Sequence, residues 1–126
     1  MRPDLDNHLI SISRIRVVHD QDVSCVRFRG AVRKLTEASF RDTLREAGRR
    51  APHLLIDLSE LAYLSSSGLG ILLEQAGTQE RQEGWLRLVS PSQTVSMILR
   101  LSGTAEALAW FAEEDEALDD LRGRAA

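Results

Sequence analysis

Three consecutive serines, Ser65, Ser66 and Ser67, stand between two apolar runs of different periodicity. The run before them, residues 54–58, is apolar except for Asp57, whereas the run after them, residues 69–76, has helical spacing. A serine hydroxyl at such a junction either caps the helix by accepting a hydrogen bond from a free amide, or stays available for chemistry on its oxygen. A cap contributes about 1 kcal/mol and accounts for one serine, so the other two require a further explanation.

Two glycines follow the serines, at Gly68 and Gly70. Glycine lets a ligand or another backbone come close, although it costs about 0.5–1 kcal/mol relative to alanine inside a helix. The segment is not a dinucleotide fingerprint, because Leu73 occupies the third glycine position, and it is not a P-loop, because no lysine follows Gly70. Neither Ser66 nor Ser67 has the two flanking glycines of a hydrolase nucleophile elbow. These motifs therefore predict no enzyme.

The composition indicates a globular chain and argues against several classes of protein. With 126 residues, the chain has the length of one compact domain that buries a core without disulfides or metals. Apolar residues make up 43% and charged residues 28%, which is typical of globular rather than disordered proteins. The net charge is −3 and the basic residues are scattered, so we expect no direct nucleic-acid partner and no anionic-membrane surface.

Cysteine, histidine and targeting patterns agree with this interpretation. Cys25 is the single cysteine and lies in the alternating run VSCVRFRG, which predicts core packing rather than a reactive thiol. The three histidines are isolated from one another, so neither a metal site nor a cofactor is predicted. No apolar stretch reaches the ~20 residues of a membrane helix, and the N-terminus lacks a signal-peptide core. We therefore expect a cytoplasmic protein without membrane insertion.

The first half of the chain predicts a hairpin, a helix and a buried strand. Residues 9–18 and 23–29 are rich in β-branched side chains and flank a polar turn, which predicts a hairpin whose second strand ends at Gly30. Thr36 is the expected N-cap of the first helix, which we expect to end at Gly48. The apolar run HLLIDL then predicts a strand covered on both faces.

The second half continues this alternation after the serines and their helix. Residues 85–89 predict a short strand, and Ser90 before a proline predicts the capped start of a helix that stops at Gly103. Residues 107–111 predict an edge strand, and the acidic segment EEDEALDDL predicts a terminal helix.

The resulting order predicts an α/β fold with a mixed β-sheet of four to five strands and about four α-helices. We place the domain at residues 9–121, between an N-terminal tail at 1–8 and a C-terminal tail at 122–126. Asp57 ends an apolar run, at a strand end where α/β proteins often place functional groups. An equal alternative is that Asp57 is a turn partner of the segment around Ser59.

The helix after the serines has an apolar stripe with the spacing i, i+3, i+4, i+7, which predicts a buried face formed by Leu69, Leu72, Leu73 and Ala76. Ile71 and Glu74 fall outside this stripe. We expect both beside Ser66 on the exposed face, where they contribute to a contact surface. An ordinary solvated helix face is an equal alternative.

The segment DLSELAYLSSSGLGILL, residues 57–73, resembles the signature of STAS domains, in particular of the bacterial anti-sigma-factor antagonists. Those proteins carry Asp-Leu-Ser, a spacer with an aromatic residue, Asp-Ser-Ser-Gly-Leu-Gly and a leucine-rich helix. The segment SPSQTVSMILRLSG, residues 90–103, is similar to the family's Ser-Pro, branched-aliphatic, Ser-Gly segment. The resemblance covers most of residues 23–121.

The resemblance implies a binding switch rather than a catalyst. In that family an anti-sigma factor serine kinase phosphorylates the first serine after the motif's aspartate, which corresponds to Ser66. The unphosphorylated protein binds the kinase and frees a sigma factor, phosphorylation breaks the complex, and a serine phosphatase resets it. The expected partner-binding residues surround Ser66 and are Ser65, Ser67, Gly68, Gly70, Ile71, Glu74, Arg33 and Lys34.

Two positions differ from the family's pattern. Ser65 stands where the family has aspartate, which removes a carboxylate that could orient the hydroxyl or bind near the kinase's metal. Arg33 and Lys34 stand where the family usually has an acidic residue, and they either hold a phosphate or are solvated loop charges.

The sequence therefore predicts a single STAS-like domain that acts as an anti-sigma-factor antagonist and is switched off by phosphorylation of Ser66. One alternative is a STAS subunit that is never phosphorylated and docks constitutively on an ATPase or signalling scaffold. An alternative of another class is a small phosphate-ligand or nucleotide-binding module, which would use the same helix N-terminus.

Overall fold

The computed structural model describes residues 10–12, 16–18, 22–104 and 106–121. The tails proposed at 1–8 and 122–126 lie outside the described residues. In chain order the strands are β1 (Ile10–Ile12), β2 (Arg16–Val18), β3 (Val23–Val32), β4 (His53–Leu64), β5 (Leu86–Val89) and β6 (Ala109–Phe111). The helices are α1 (Glu37–Arg50), α2 (Ser66–Arg81), α3 (Gln93–Leu101) and α4 (Glu114–Ala117). This order confirms the predicted α/β class with its mixed sheet.

One sheet joins all six strands. β3, β4, β5 and β6 run parallel in that order, and β1 and β2 both pair antiparallel with the free edge of β3. The six strands therefore occupy five positions. Because α1, α2 and α3 each connect neighbouring parallel strands in the same direction across the sheet, right-handed crossovers place all three on one face.

The sheet has an apolar layer on each face. On the face of α1, α2 and α3, the main core includes Phe28 and Phe40, whose rings meet edge to face at 4.8 Å between centroids. The opposite face carries a smaller cluster with Cys25 and Leu55, covered by α4 through Ala117. Burial on both faces explains the continuous apolar run at the start of β4. Among the described helices, none is both long and apolar enough to cross a membrane.

The two central strands extend beyond their predicted ends. β3 continues through Gly30 to Val32, because the positive φ of 107° at Gly30 and an adjacent register shift allow pairing with β4 to resume. β4 continues through the polar segment after Asp57 to Leu64. The prediction that Asp57 ends a strand is therefore wrong. Since β3 and β4 are parallel, their long carboxyl ends finish side by side.

Two predicted helix ends are also wrong. Gly48 lies inside α1 rather than at its end, and it is buried where α1 passes close to α2. α3 begins after Ser92 rather than Ser90, because the Ser92 hydroxyl accepts from the amide of Val95 at 3.3 Å. Thr36 is the N-cap residue of α1 as predicted, but its hydroxyl makes no cap hydrogen bond.

Candidate functional site

The three serines lie where the two central strands end. β4 stops at Leu64, and the amide of Ser65 donates to the carbonyl of Val32, the last residue of β3, at 3.0 Å. The carbonyl of Ser65 then accepts from the amide of Leu69 at 3.0 Å, which closes the first turn of α2. One residue therefore joins the sheet edge to the helix, and the N-terminus of α2 is held at the carboxyl end of the sheet.

Ser65 is the serine that caps α2. Its hydroxyl oxygen accepts from the amide of Gly68 at 3.0 Å, the usual cap geometry. The same hydroxyl donates to the Glu37 carboxylate at 3.1 Å, so its donor and one acceptor site are both in use. Ser65 is therefore the one serine of the three that the helix cap accounts for.

Ser66 and Ser67 are the first two residues of α2, and both are exposed. Within the described part of the chain, neither hydroxyl has a hydrogen-bond partner. An uncommitted, exposed hydroxyl can enter another protein's active site, whereas one held by a backbone amide cannot do so without breaking its bond. The expectation that Ser66 is exposed is thus confirmed.

Gly68 and Gly70 have different reasons for lacking a side chain. Gly68 is buried, and a Cβ there would lie 2.7 Å from Leu64 Cδ1 and 2.8 Å from Val32 Cγ1, so the packing of the sheet end requires glycine. Gly70 is exposed and a Cβ there would meet nothing within 4 Å. Packing inside the chain gives no reason for Gly70. Its absent side chain instead leaves the surface one turn beyond Ser66 open.

The exposed face of α2 differs from the predicted one at two positions. Ile71 is only 4% exposed, so its assignment to the contact surface is wrong. It lies one turn before the buried Gln75 and two turns before the buried Gln79, on the side of α2 that meets α1. Leu73, which we assigned to the buried stripe, is 36% exposed. It comes seven residues after Ser66 and is therefore rotated by only about 20° from it around the helix.

Leu73 is the surface residue that the sequence reasoning missed. Counting from Ser66 in steps of 100° would have found it, but the apolar spacing of the leucines suggested burial. Glu74 is exposed as predicted, and its carboxylate lies 3.5 Å from the guanidinium of Arg45 on α1. An exposed pair of this kind contributes little to stability.

Arg33 and Lys34 lie in the turn between β3 and α1, directly after the residue that bonds to Ser65. Both are exposed, and the guanidinium of Arg33 lies over the ring of Tyr63 at 4.4 Å from its centroid. The turn with Arg33 and Lys34 therefore lies next to the serines, and the sequence analysis had placed both residues in the surface around Ser66.

Glu37 is a second residue that the sequence analysis missed. It is the first residue of α1 and comes 28 positions before its partner Ser65 in the chain. An acidic residue in the first turn of a helix is common, because it complements the helix dipole. Its role beside the serines depends on how α1 and α2 pack, which no local pattern shows.

Asp57 belongs to the opposite face of the sheet and takes no part in this site. One of its carboxylate oxygens accepts from the amide of Ser59 at 2.9 Å, and the other accepts from Arg27 at 3.0 Å. Burial alone would raise the pKa of Asp57, but the hydrogen bonds from Ser59 and Arg27 together lower this pKa below its ordinary value. Asp57 is therefore a partner of Ser59, as the alternative proposed, but the two residues lie within β4 rather than in a turn.

Cys25 lies on that same face and is buried against the smaller apolar cluster. Burial raises the pKa of its thiol to about 11, so the thiol is protonated at neutral pH. The prediction of core packing is confirmed.

Comparison with known proteins agrees with this geometry. A curated relative, the anti-sigma F factor antagonist of Paenibacillus polymyxa, is 26% identical over 110 residues, covering 86% of this chain and 94% of that protein. The crystal structure of an anti-sigma factor antagonist from Mycobacterium paratuberculosis superposes with a TM-score of 0.75 at 25% identity, covering 89% of this chain and 95% of that one.

The fold is also that of the anti-sigma factor antagonist SpoIIAA in its unphosphorylated form, with a TM-score of 0.71 and 24% identity over 87% of this chain and 96% of that one. A family model described as "Mlab, STAS domain" matches residues 15–110. The match spans most of the chain and includes the serines, the turn beside them and both central strands. The chain therefore belongs to the STAS domain family.

Proposed function

We propose that this chain is an anti-sigma-factor antagonist that binds an anti-sigma factor serine kinase and releases it when Ser66 is phosphorylated. The relatives named above are anti-sigma factor antagonists, and they support that general function. One observation carries the specific switch: Ser65 is committed to Gly68 and Glu37, whereas Ser66 is exposed with a free hydroxyl. A division of labour between neighbouring serines supports a modification site that is separate from the helix cap.

The folded domain can accommodate a phosphate on Ser66. The N-terminus of α2 carries the positive end of the helix dipole, which stabilises an exposed anion by about 0.3–1 kcal/mol. The cap from Ser65 uses the amide of Gly68, so the hydroxyl of Ser66 can be modified without breaking that bond. Phosphorylation should therefore leave the domain folded.

The effect of the phosphate then falls on the partner. Phosphorylation adds about −1.5 to −2 charges to a surface that includes Gly70 and Leu73. A kinase surface that packs against these uncharged residues would have to desolvate that charge, which costs several kcal/mol. The complex would dissociate, and a serine phosphatase would restore the binding form.

This proposal describes a regulatory binding protein of the cytoplasm and not an enzyme. Its relatives are named for antagonism of another protein rather than for a reaction. On this account the chain itself hydrolyses neither ATP nor esters, and the kinase supplies the nucleotide and the catalytic groups.

One alternative within the family has a specific observation in its favour. Position 65 is a serine and carries no carboxylate, whereas the family signature that this segment resembles has an aspartate at this point. If the kinase needs that carboxylate, Ser66 would never be modified. The chain would then dock constitutively on an ATPase or signalling scaffold through the same surface.

A direct test begins with the tagged wild-type protein in extract of its native cell. Captured proteins are identified by mass spectrometry, and the recovered anti-sigma factor is purified and incubated with the chain and ATP. We expect one phosphate, mapped to Ser66, and none on the Ser66→Ala variant. Ser67→Ala is the matched control and should be phosphorylated like the wild type.

Other outcomes would contradict the proposal in distinct ways. A phosphate on Ser67 would move the switch by one residue. Tight capture of a partner that never modifies any of the serines would favour constitutive docking. Calorimetric binding of a free nucleotide to the chain alone, abolished by Ser66→Asp, would favour the nucleotide-binding module.

A further inference from the structure

The turn between β3 and α1, residues 33–36, is held by a buried side chain. Thr36 is 3% exposed, and its hydroxyl donates to the carbonyl of Ala31 at 2.7 Å and accepts from the amide of Arg33 at 2.9 Å. The amide of Thr36 also donates to the carbonyl of Arg33 at 2.9 Å. Instead of capping α1, Thr36 fixes the shape of the turn that precedes it. Little conformational freedom remains to be lost when this turn binds a partner.

The fixed turn presents three exposed side chains. Leu35 is 86% exposed, the largest exposure of any large apolar side chain among the described residues. Arg33 and Lys34 precede it, and neither forms an ion pair within the described residues. A rigid turn that exposes a leucine beside two cations, neither with a carboxylate partner among the described residues, has the composition of a binding surface rather than of an ordinary loop.

The residues that flank the turn are hydrogen-bonded to Ser65, the residue before Ser66. The amide of Ser65 donates to the carbonyl of Val32 at 3.0 Å. Val32 immediately precedes Arg33, and Ser65 immediately precedes Ser66. The Glu37 carboxylate, directly after the turn, accepts from the Ser65 hydroxyl. Two bonds therefore hold the turn beside the start of α2. Arg33 therefore follows one partner of this backbone hydrogen bond and Ser66 follows the other, which makes the turn and the start of α2 neighbours.

We propose that Arg33, Lys34 and Leu35 dock against an acidic surface of the partner that contains an apolar socket for Leu35. A phosphate on Ser66 competes with the partner's carboxylates for the same two cations. This inference rests on the proposed function and specifies both its partner chemistry and its regulation. The phosphate thus acts by occupying the binding charges as well as by adding a charge to the surface.

An acidic protein surface fits these residues better than an anionic membrane. Two cations on a chain with a net charge of −3 are fewer than the clusters of four to eight basic residues that bind lipid surfaces. The exposed Leu35 beside the cations also suits a protein surface, because the buried centre of a protein interface is apolar.

The first test uses the purified anti-sigma factor recovered with the wild-type chain. In calorimetry at low salt, Arg33→Ala/Lys34→Ala should weaken binding about tenfold or more and flatten its salt dependence. Leu35→Ala should weaken binding by a similar factor without changing the salt dependence. The control Arg81→Ala/Arg100→Ala removes the same charge from the last turns of α2 and α3 and should change binding less than about twofold.

These results separate the inference from the proposed function. Equal binding by the wild type and the Arg33→Ala/Lys34→Ala variant would overturn the inference and leave the proposed function intact. Absence of binding to any anti-sigma factor by the wild type would overturn both. Binding to phosphatidylserine vesicles that the double variant loses would replace the protein partner with a membrane.

The second test needs no partner. Phosphoserine is placed genetically at position 66, and ³¹P NMR measures the second pKa of its phosphate. Both cations stabilise the dianion, so this pKa should be lower in the wild-type background than with Arg33→Ala/Lys34→Ala, by about half a unit. The Arg81→Ala/Arg100→Ala background should match the wild type. Identical values in all three backgrounds would overturn the competition for the cations.

Discussion

The two ends of α2 are built for opposite purposes. At the C-terminal end, the side-chain amide of Gln75 donates to Gln79 at 2.7 Å, and both residues are buried. The side-chain amide of Gln79 in turn donates to the carbonyl of Pro52 at 2.8 Å and shares longer bonds of 3.3 Å with the carbonyls of Gly48 and Ala51, around the C-terminal end of α1. At the N-terminal end, Ser65 caps the helix, the Ser66 hydroxyl has no hydrogen-bond partner within the described residues, and a Cβ at Gly70 would meet nothing within 4 Å.

The difference shows where the fold is held and where it is left open. The glutamines satisfy carbonyls that would otherwise be buried without donors, so that end of α2 cannot change without a loss of stability. The exposed side of the N-terminal end, at Ser66 and Gly70, has no such bonds among the described residues, whereas Ser65 and Gly68 hold the buried side to the sheet. The exposed side can therefore change its charge while the domain stays folded, which is what a binding switch requires.

The largest effect is expected on the buried side of α2. Leu72 is completely buried, so Leu72→Asp would place an unpaired charge in the core and should unfold the domain. Leu73→Asp is the matched control, because Leu73 is its neighbour and faces solvent; it should cost less than about 1 kcal/mol. Thermal unfolding followed by circular dichroism measures both. Equal melting temperatures for the two variants would mean that the helix is rotated from the phase described.

The next effect concerns the closed end. Gln79→Leu would leave the carbonyls that end α1 without their donor, and we expect a loss of about 2–4 kcal/mol in the free energy of unfolding. Gln82→Leu, in the exposed turn after α2, should stay within about 0.5 kcal/mol of the wild type. Urea denaturation distinguishes them. A loss of less than 0.5 kcal/mol in Gln79→Leu would show that the glutamine does not hold the two helices together.

The two glycines test the boundary between the closed and open surfaces. Gly68→Ala should destabilise the domain by about 1–3 kcal/mol, since its Cβ would press on Leu64 and Val32. Gly70→Ala should stabilise it by about 0.5–1 kcal/mol, because the helix gains alanine without a clash. Opposite signs in chemical denaturation support the comparison. Destabilisation by Gly70→Ala would reveal an internal contact that the open surface should lack.

A smaller effect is expected at the cap. Ser65→Ala removes the acceptor for the amide of Gly68 and should cost about 1 kcal/mol. Ser67 is two residues after Ser65, and its hydroxyl has no hydrogen-bond partner within the described residues. Ser67→Ala should therefore change stability by less than about 0.5 kcal/mol. If Ser67→Ala were the more destabilising of the two, the cap would be assigned to the wrong serine.

The sequence indicated most of the fold because its elements have strong local patterns. The apolar runs marked the parallel strands, and the three serines marked the start of α2. The ends of β3 and β4 were misjudged because strand pairing continued through Gly30 and through a polar segment. Pairing between distant strands overrides local composition there.

The site was predicted in part for the same reason. Ser66 follows from its place in the chain, but the roles of Glu37 and Ile71 depend on how α1 packs against α2. The sequence analysis placed Ile71 on the exposed face because it assumed that α2 buries a single apolar stripe. α2 is buried against both the sheet and α1, so its buried arc is wider than that stripe.

The central claim is that Ser66 switches binding without affecting folding. The most direct measurement compares Ser66→Asp with Ser67→Asp, two neighbouring exposed serines given the same charge, for binding to the purified anti-sigma factor and for thermal stability. We predict that Ser66→Asp weakens binding at least tenfold, that Ser67→Asp weakens it much less, and that both melt within a few degrees of the wild type. Equal binding by Ser66→Asp and the wild type, or loss of binding only through unfolding, would contradict the account.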